Sequence, residues 1–250
     1  MFDVGAIAVI AGTFLIAGAV KGVIGLGLPT VSLALLTVAF DLTSAMALLV
    51  VPSFVTNLWQ ASRGGNGHAI VRRLWPFFLP ATVTVSLGAV ALIRIDLSLL
   101  SALLGVLLVT YASVSLRGYR LSIPLQRERW LGPLIGAVNG ILTGMTGSFV
   151  VPGVMFLQAI GLPRDVLIQA MGMLFTVSTL ALALALQAND LLTLEKGAFS
   201  LAALLPAVIG MMVGQQIRKR LAEELFRKVF FVALLLLGAY IVVSAVGTSF

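Results

Sequence analysis

Uninterrupted apolar runs of about twenty residues recur along this chain of 250 residues, and they constrain its fold more than any other feature. A helix needs roughly 20 apolar residues to cross a hydrocarbon core about 30 Å thick. Hydrophobic residues make up 60% of the chain and charged residues only 10%, which is too few to cover a water-soluble surface. The short alternating pattern of a membrane β-barrel is absent. The sequence therefore predicts an all-α integral membrane protein, a polytopic bundle of helices.

The apolar segments lie at 4–24, 29–39, 44–60, 74–93, 97–116, 131–142, 148–160, 166–186, 197–215 and 229–247. Two of them, 29–39 and 148–160, are too short to span a membrane comfortably. Each of these two follows a glycine-rich break in the sequence. We therefore predict two broken or re-entrant helical hairpins, over 4–39 and 131–160.

Basic residues are concentrated in three of the loops between these segments. Loops 61–73, 117–130 and 216–228 hold twelve of the 16 lysines and arginines, and these include Arg120 and Arg220. The positive-inside rule places such loops in the cytoplasm and both termini in the periplasm. A nucleic-acid partner is excluded despite the net charge of +7, because the basic residues do not form one aqueous face.

A short sequence recurs in the second half of the chain. Gly18-Ala-Val-Lys-Gly22 matches Gly136-Ala-Val-Asn-Gly140 at four of five positions. Five segments precede loop 117–130 and five follow it, and an odd number per unit inverts the second copy in the membrane. We therefore predict two inverted-topology repeats, residues 1–116 and 131–250, joined by the cytoplasmic linker 117–130. Many secondary transporters have this architecture.

Each glycine-rich break is predicted to start a helix inside the membrane. Unsatisfied backbone N–H groups and the helix dipole favour an anion at such a start, and the inverted repeat brings the two starts together near the midplane. Close helix packing is the alternative role for the glycines spaced four apart, such as Gly18 and Gly22. The predicted substrate site consists of Lys21, Gly25, Gly27, Pro29, Thr30, Asn57, Thr143, Gly144, Thr146, Gly147, Ser148 and Gln169.

Lys21 is the charged residue farthest from any predicted loop. A buried cation beside the first break suits an anionic substrate, whereas the alternative is a side chain that snorkels to the membrane interface. No carboxylate falls in the middle of a segment, so a carboxylate proton relay is not predicted. The chain has no cysteine and one histidine, His68, in a loop. Neither a metal site nor another cofactor is predicted.

Several stretches carry a resemblance to a known family. Four stretches of this chain resemble the motifs of the sulfite exporter TauE/SafE family of membrane permeases and occur in the same order. They are Ala17–Pro29, Val51–Gln60, Gly140–Pro152 and Gly161–Pro163. This resemblance implies a transporter of small, often sulfur-containing anions in a bacterial inner membrane. Many family members carry a run of three glycines where this chain has Leu28-Pro29 and Ser148-Phe149. The resemblance therefore does not fix the substrate.

The sequence leaves two other functions open. The chain is compatible with a membrane subunit of a multi-component transport complex, although it carries no Walker A nucleotide-binding sequence. An intramembrane enzyme with Ser148 as its nucleophile is the weaker alternative, because no histidine or acid lies at that depth to activate the hydroxyl. The predicted partners are a small anion and membrane lipid, and self-association into a homo-oligomer is left open.

Overall fold

Helices form the regular structure throughout residues 3–118, 122–219 and 223–247, which are the residues described by the computed structural model. A π-helical turn, Val150–Val154, accompanies them. Arg120, Arg220 and the two ends of the chain lie outside the described residues. The helices are α1 (Val4–Ile24), α2 (Leu28–Ala39), α3 (Leu42–Ser62), α4 (Gly67–Val83), α5 (Val85–Leu92), α6 (Leu97–Arg117), α7 (Leu125–Thr146), α8 (Met155–Ala159), α9 (Arg164–Ala188), α10 (Leu194–Arg218) and α11 (Glu223–Gly247).

Seven helical spans among the described residues are long and apolar enough to cross a membrane. They are α1, α3, α4 together with α5, α6, α9, α10 and α11. α2, and the π-helical turn with α8, are the two shorter apolar segments, and each follows a break in the chain. The predicted all-α, polytopic membrane fold with two broken hairpins is therefore confirmed.

Helix boundaries differ from the predicted segments by six or seven residues in four places, and one of these is the start of α11 at Glu223 instead of 229. α4 begins at Gly67 and α7 at Leu125, so the loops predicted at 61–73 and 117–130 are shorter in the structure. The first turns of both helices carry polar or charged residues, and hydropathy alone does not detect them. The sequence predicts helix from Ser148 after the second break, but regular α-helix starts only at Met155 because Val151 has an extended backbone (φ −113°, ψ 124°).

Helix directions define two ends of the bundle. One end, which we name the basic end, contains the C-termini of α3, α6 and α10 and the N-termini of α4, α7, α9 and α11. Here Gln60 Nε2 donates a hydrogen bond to the Ile168 carbonyl at 2.7 Å. The Arg73 guanidinium donates three hydrogen bonds to the Glu128 carboxylate, at 2.9, 3.3 and 2.7 Å, and one to the Ile160 carbonyl at 3.2 Å. The opposite end carries the α2–α3, α5–α6 and α9–α10 connections.

The two halves of the chain are interleaved in the bundle. α1 packs along α10, and α7 packs along both α4 and α5. In addition, α6 pairs with α11, and α3 pairs with α9. Each of these pairs joins a helix from before residue 118 to one from after residue 122. The core of the protein therefore belongs to both halves.

Glycines allow the closest of these helix contacts. A Cβ atom at Gly22 would lie 2.3 Å from the Met211 carbonyl oxygen, and one at Gly144 would lie 2.1 Å from the Val85 carbonyl oxygen. Contacts of this kind stabilise helix pairs in lipid, where no hydrophobic force acts between helices. The packing role is thus the one that the structure shows at Gly144, which also belongs to the predicted substrate site. The same close approach occurs at Gly18, Gly136 and Gly140.

Candidate functional site

Lys21 points into the bundle, although it is a charged residue in a membrane-spanning helix. Its exposed fraction is 4%, so the side chain does not snorkel. Its Nζ donates hydrogen bonds to Asn57 Oδ1 and, at 3.2 Å, to Thr56 Oγ1, both on α3. Thr56 in turn donates to the Pro52 carbonyl at 2.7 Å. The structure thus brings together two predicted site residues, Lys21 and Asn57, which lie 36 positions apart.

Within the part of the chain that the structure describes, no counter-charge hydrogen-bonds to this buried amine. Every hydrogen-bond partner of Lys21 within the described residues is a neutral oxygen. An unpaired charge removed from water costs several kcal/mol. An anion beside the amine would offset that cost, and a chemically matched ligand for this position is therefore a small anion.

Unsatisfied hydroxyls lie further along the interface between α3 and α9. The two helices run antiparallel, and Gln60 contacts the Ile168 backbone. A Cβ atom at Gly172 would lie 2.8 Å from the Ala61 backbone nitrogen. At 1.5 Å of rise per residue, this contact places Ser53 within about one turn of Ser178 and Thr179. The hydroxyls of all three are buried and have no hydrogen-bond partner among the described residues. Because an unpaired buried polar group costs about 1–3 kcal/mol, this cluster suits a polar ligand or water.

Backbone geometry at the first break agrees with the sequence prediction. Gly25 ends α1 and Gly27 precedes α2, both in the left-handed region (φ 85° and 108°), where a side chain is strained. Pro29 lies in the first turn of α2, where its missing N–H leaves no bond unmade. Thr30 is buried beside it. Among the described residues no side chain caps the N-terminus of α2, so its first backbone N–H groups are open to another partner.

Side chains of α7 close the second break. Thr143 Oγ1 donates to the Ser148 carbonyl at 3.0 Å, and Thr146 Oγ1 accepts from the Ser148 backbone N–H at 3.2 Å. Asn139 Oδ1 accepts from the Gly153 N–H at 2.8 Å. The predicted ligand donors Thr143 and Thr146 therefore satisfy the backbone of the break itself. The Ser148 hydroxyl is buried without a described partner.

Two further predicted site residues have structural roles. Gly147 has a left-handed backbone (φ 72°), and a Cβ there would lie 2.8 Å from Met46 Cγ, so the second break packs tightly against α3. Gln169 Nε2 donates to the Ala61 carbonyl at 2.9 Å, and its Oε1 accepts from the Asn66 N–H at 3.1 Å. The Gln169 amide thus holds the loop between α3 and α4.

A cavity of about 580 Å³ opens at the basic end. It reaches the first break at Ile24 and Leu26, and Arg164 and Arg227 line it. Cations in a cleft with low-dielectric walls raise the local concentration of anions. The charge and position of this cavity therefore suit an anion between the basic end and the first break. From the second hairpin, Met155 and residues after it line this cavity, whereas Gly147 and Ser148 do not.

A smaller cavity, of about 260 Å³, lies at the opposite end. Thr37 lines it from the end of α2, Asp41 from the α2–α3 connection and Ser101 from α6. The α6–α11 pair contributes to both cavities, with different ends of each helix. Between the cavities the two helices cross at Gly105 and Gly238, where a Cβ on Gly105 would lie 2.7 Å from the Gly238 carbonyl oxygen.

Comparison with known proteins bears on nearly the whole chain. The model of the family described as Sulfite exporter TauE/SafE matches residues 10–241. This range includes both breaks, Lys21 and the residues that line the larger cavity. No curated protein and no solved structure matches the chain.

Proposed function

The chain belongs to the TauE/SafE family of sulfite exporters, and from that premise we propose that it exports a small sulfur-containing anion, such as sulfite or a sulfonate. The observation that carries this proposal is Lys21, a fully buried amine whose described partners are all neutral. We place the substrate beside this amine and beside the first turn of α2. Asn57 orients the amine, and the hydroxyls of Ser53, Ser178 and Thr179 line the onward route.

Sidedness follows from the distribution of charge. With the basic end in the cytoplasm of a bacterial cell and both termini in the periplasm, the larger cavity is the entrance and the smaller one the exit. Arg164 and Arg227 gather anions at the entrance. Asp41 lines the exit and opposes their return. An anion leaving a negative-inside cell moves downhill, by about 2.3 kcal/mol per charge for each 100 mV.

The packing supports an inverted repeat as the basis of transport. In an inverted repeat α1 corresponds to α7, and α10 corresponds to the α4–α5 span. The contact between α1 and α10 then corresponds to the contact of α7 with α4 and α5. The α6–α11 and α3–α9 pairs each correspond to themselves. We propose that the α6–α11 pair rocks about Gly105 and Gly238, closing one cavity as the other opens.

Replacement of Lys21 tests the proposed site. Lys21→Met keeps the length of the side chain but removes the charge, and sulfite efflux from proteoliposomes should fall at least about tenfold, the effect of losing a charged hydrogen bond worth about 1.5–3 kcal/mol. Lys21→Arg should retain part of the rate, because the charge stays while its geometry changes. Lys228→Met, at an exposed position of α11, is the matched control.

Two outcomes decide between the alternatives. Efflux with unchanged kinetics in Lys21→Met, in a protein that still elutes as a single species, would show that Lys21 is structural and refute the site. Efflux by the purified chain alone would exclude the alternative that transport needs a second type of subunit.

A further inference from the structure

A groove of about 420 Å³ lies between α4 and α7 at the basic end, separate from the two cavities of the anion route. Its floor is apolar. Phe77 and Phe156 form part of it, with ring centroids 4.8 Å apart, and Leu125, of which 65% is exposed, lies along one wall. The groove therefore joins an apolar floor to the outer surface of the bundle.

Positive charge is in excess along the rim of this groove. Arg72, Arg73 and Arg129 line it, against the single acid Glu128. The Arg73 guanidinium binds both oxygens of Glu128, so that pair is neutral. The charges of Arg72 and Arg129 remain, and both side chains are exposed. Paired guanidinium groups of this kind match the geometry of a phosphate.

Tryptophan positions show that these arginines lie at the membrane interface. The chain has three tryptophans, and all lie near the basic end with exposed rings: Trp59 and Trp75 are 56% exposed and Trp130 is 84% exposed. Tryptophan is enriched at the level of lipid headgroups. Trp75 lies one helical turn from Arg72, and Trp130 follows Arg129 directly, so both arginines are at headgroup depth.

We propose that this groove is a binding site for one anionic phospholipid, with its phosphate between Arg72 and Arg129 and the start of an acyl chain over Phe77 and Phe156. Basic pockets between transmembrane helices bind lipid headgroups through this combination of charge and apolar surface. The proposal is independent of the transported substrate.

A lipid in this groove would brace the second hairpin. Phe156 belongs to α8, and Arg73 also donates a hydrogen bond to the Ile160 carbonyl just after it. The occupied groove would hold α4, α7 and α8 together at the basic end. Since a ligand that binds only the folded state raises its apparent stability, lipid binding should be visible in thermal unfolding.

The test measures unfolding of the purified chain in neutral detergent, with phosphatidylglycerol or phosphatidylcholine of the same acyl chains. Phosphatidylglycerol should raise the Tm by several degrees more than phosphatidylcholine. Arg72→Gln with Arg129→Gln should remove most of this difference. Native mass spectrometry should show about fivefold weaker lipid affinity for each arginine removed. Arg63→Gln with Arg117→Gln removes the same charge at the same end, outside the groove, and should leave the difference unchanged.

Three results would overturn the site. The first is an equal effect of phosphatidylglycerol on the wild type and on the Arg72→Gln, Arg129→Gln variant. The second is an equal loss in the control variant, which would show general surface attraction. The third is an arginine-dependent rise of the same size with inorganic phosphate alone, which would assign the groove to a soluble anion. If the double variant does not fold, the two single variants carry the same comparison.

Discussion

Asp41 caps α3 at the opposite end of the bundle, beside the smaller cavity. Its carboxylate accepts hydrogen bonds from the Ser44 N–H at 2.8 Å and from the Thr43 hydroxyl at 2.5 Å. Burial raises the pKa of this carboxyl, but these hydrogen bonds and the charge of Lys196 outweigh it and hold the pKa below its usual value. Asp41 therefore stabilises the fold above the unfolded pKa of about 3.9. That contribution is lost as the pH falls through the lower pKa of the folded state.

Asp41→Ala should lower the Tm at pH 7 by about 2–4 °C, since loss of an N-cap costs roughly 1 kcal/mol. Asp41→Asn should cost less, because asparagine caps a helix about as well. The difference between the wild type and Asp41→Ala should shrink as the pH falls below about 4. Thermal unfolding followed over a pH series measures this. A difference that stays constant down to pH 3 would contradict the role of the ionised cap.

Residue types alone predicted some of the side chains that the structure brings into contact. Lys21 and Asn57 are predicted from separate motifs, and the structure shows them in contact. Gly25 and Gly27 are predicted to break the helix, and both adopt a left-handed backbone that would strain any other residue. Ser53 and Ser178 are outside the predicted substrate site, because their register depends on how α3 meets α9. The contact of Gln169 with the α3–α4 loop could not be predicted either, since its partners lie more than 100 positions earlier in the chain. Such contacts are set by tertiary packing, not by local sequence.

At the scale of helices, the contact between α1 and α10 depends on glycine. Gly22→Ala should strongly destabilise the protein, because the new Cβ would lie 2.3 Å from a backbone oxygen of α10, and a backbone cannot move aside cheaply. Gly12→Ala in the same helix is the matched control, since nothing lies within 4 Å of its Cβ position. Its stability should be equal or slightly higher. Thermal unfolding in detergent measures both, and equal Tm values for the two variants would contradict this packing role.

Elements with long apolar runs were predictable, and elements defined by side-chain contacts were not. The spans and the two hairpins follow from hydropathy and from the glycine-rich breaks. The irregular stretch before α8 does not, because it depends on Asn139 and Thr143 bonding to the backbone of the break. The starts of α4 and α7 were missed because their first turns are polar.

For the whole molecule, rocking of the α6–α11 pair predicts reciprocal access to the two cavities. In this cysteine-free chain, Ser115→Cys reports on the larger cavity and Ser101→Cys on the smaller one. Saturating sulfite on the cytoplasmic side should slow thiol labelling at 115 and speed it at 101. Ser86→Cys, at an exposed position outside both cavities, should not change. Rates that move together at 115 and 101, in a protein active in efflux, would contradict the rocking motion.

The inverted repeat was predicted from a five-residue match and a segment count, and it stays a prediction that the packing supports. The partner of each helix could not be predicted from that repeat alone. Two inverted halves can lie side by side, each with its own core, or be interleaved. The glycines of α1 and α10 favour the interleaved arrangement, which the helix pairings of the structure show.

Interleaving has a consequence for synthesis of the chain on the ribosome. Gly22 and its partner helix at Gly214 are separated by about 190 residues, which take on the order of 10–40 s to translate at roughly 5–20 residues per second. During that interval α1 is already in the membrane, but the glycine face that will contact α10 has no partner helix. The close α1–α10 contact therefore cannot form until the last third of the chain has been synthesised and inserted.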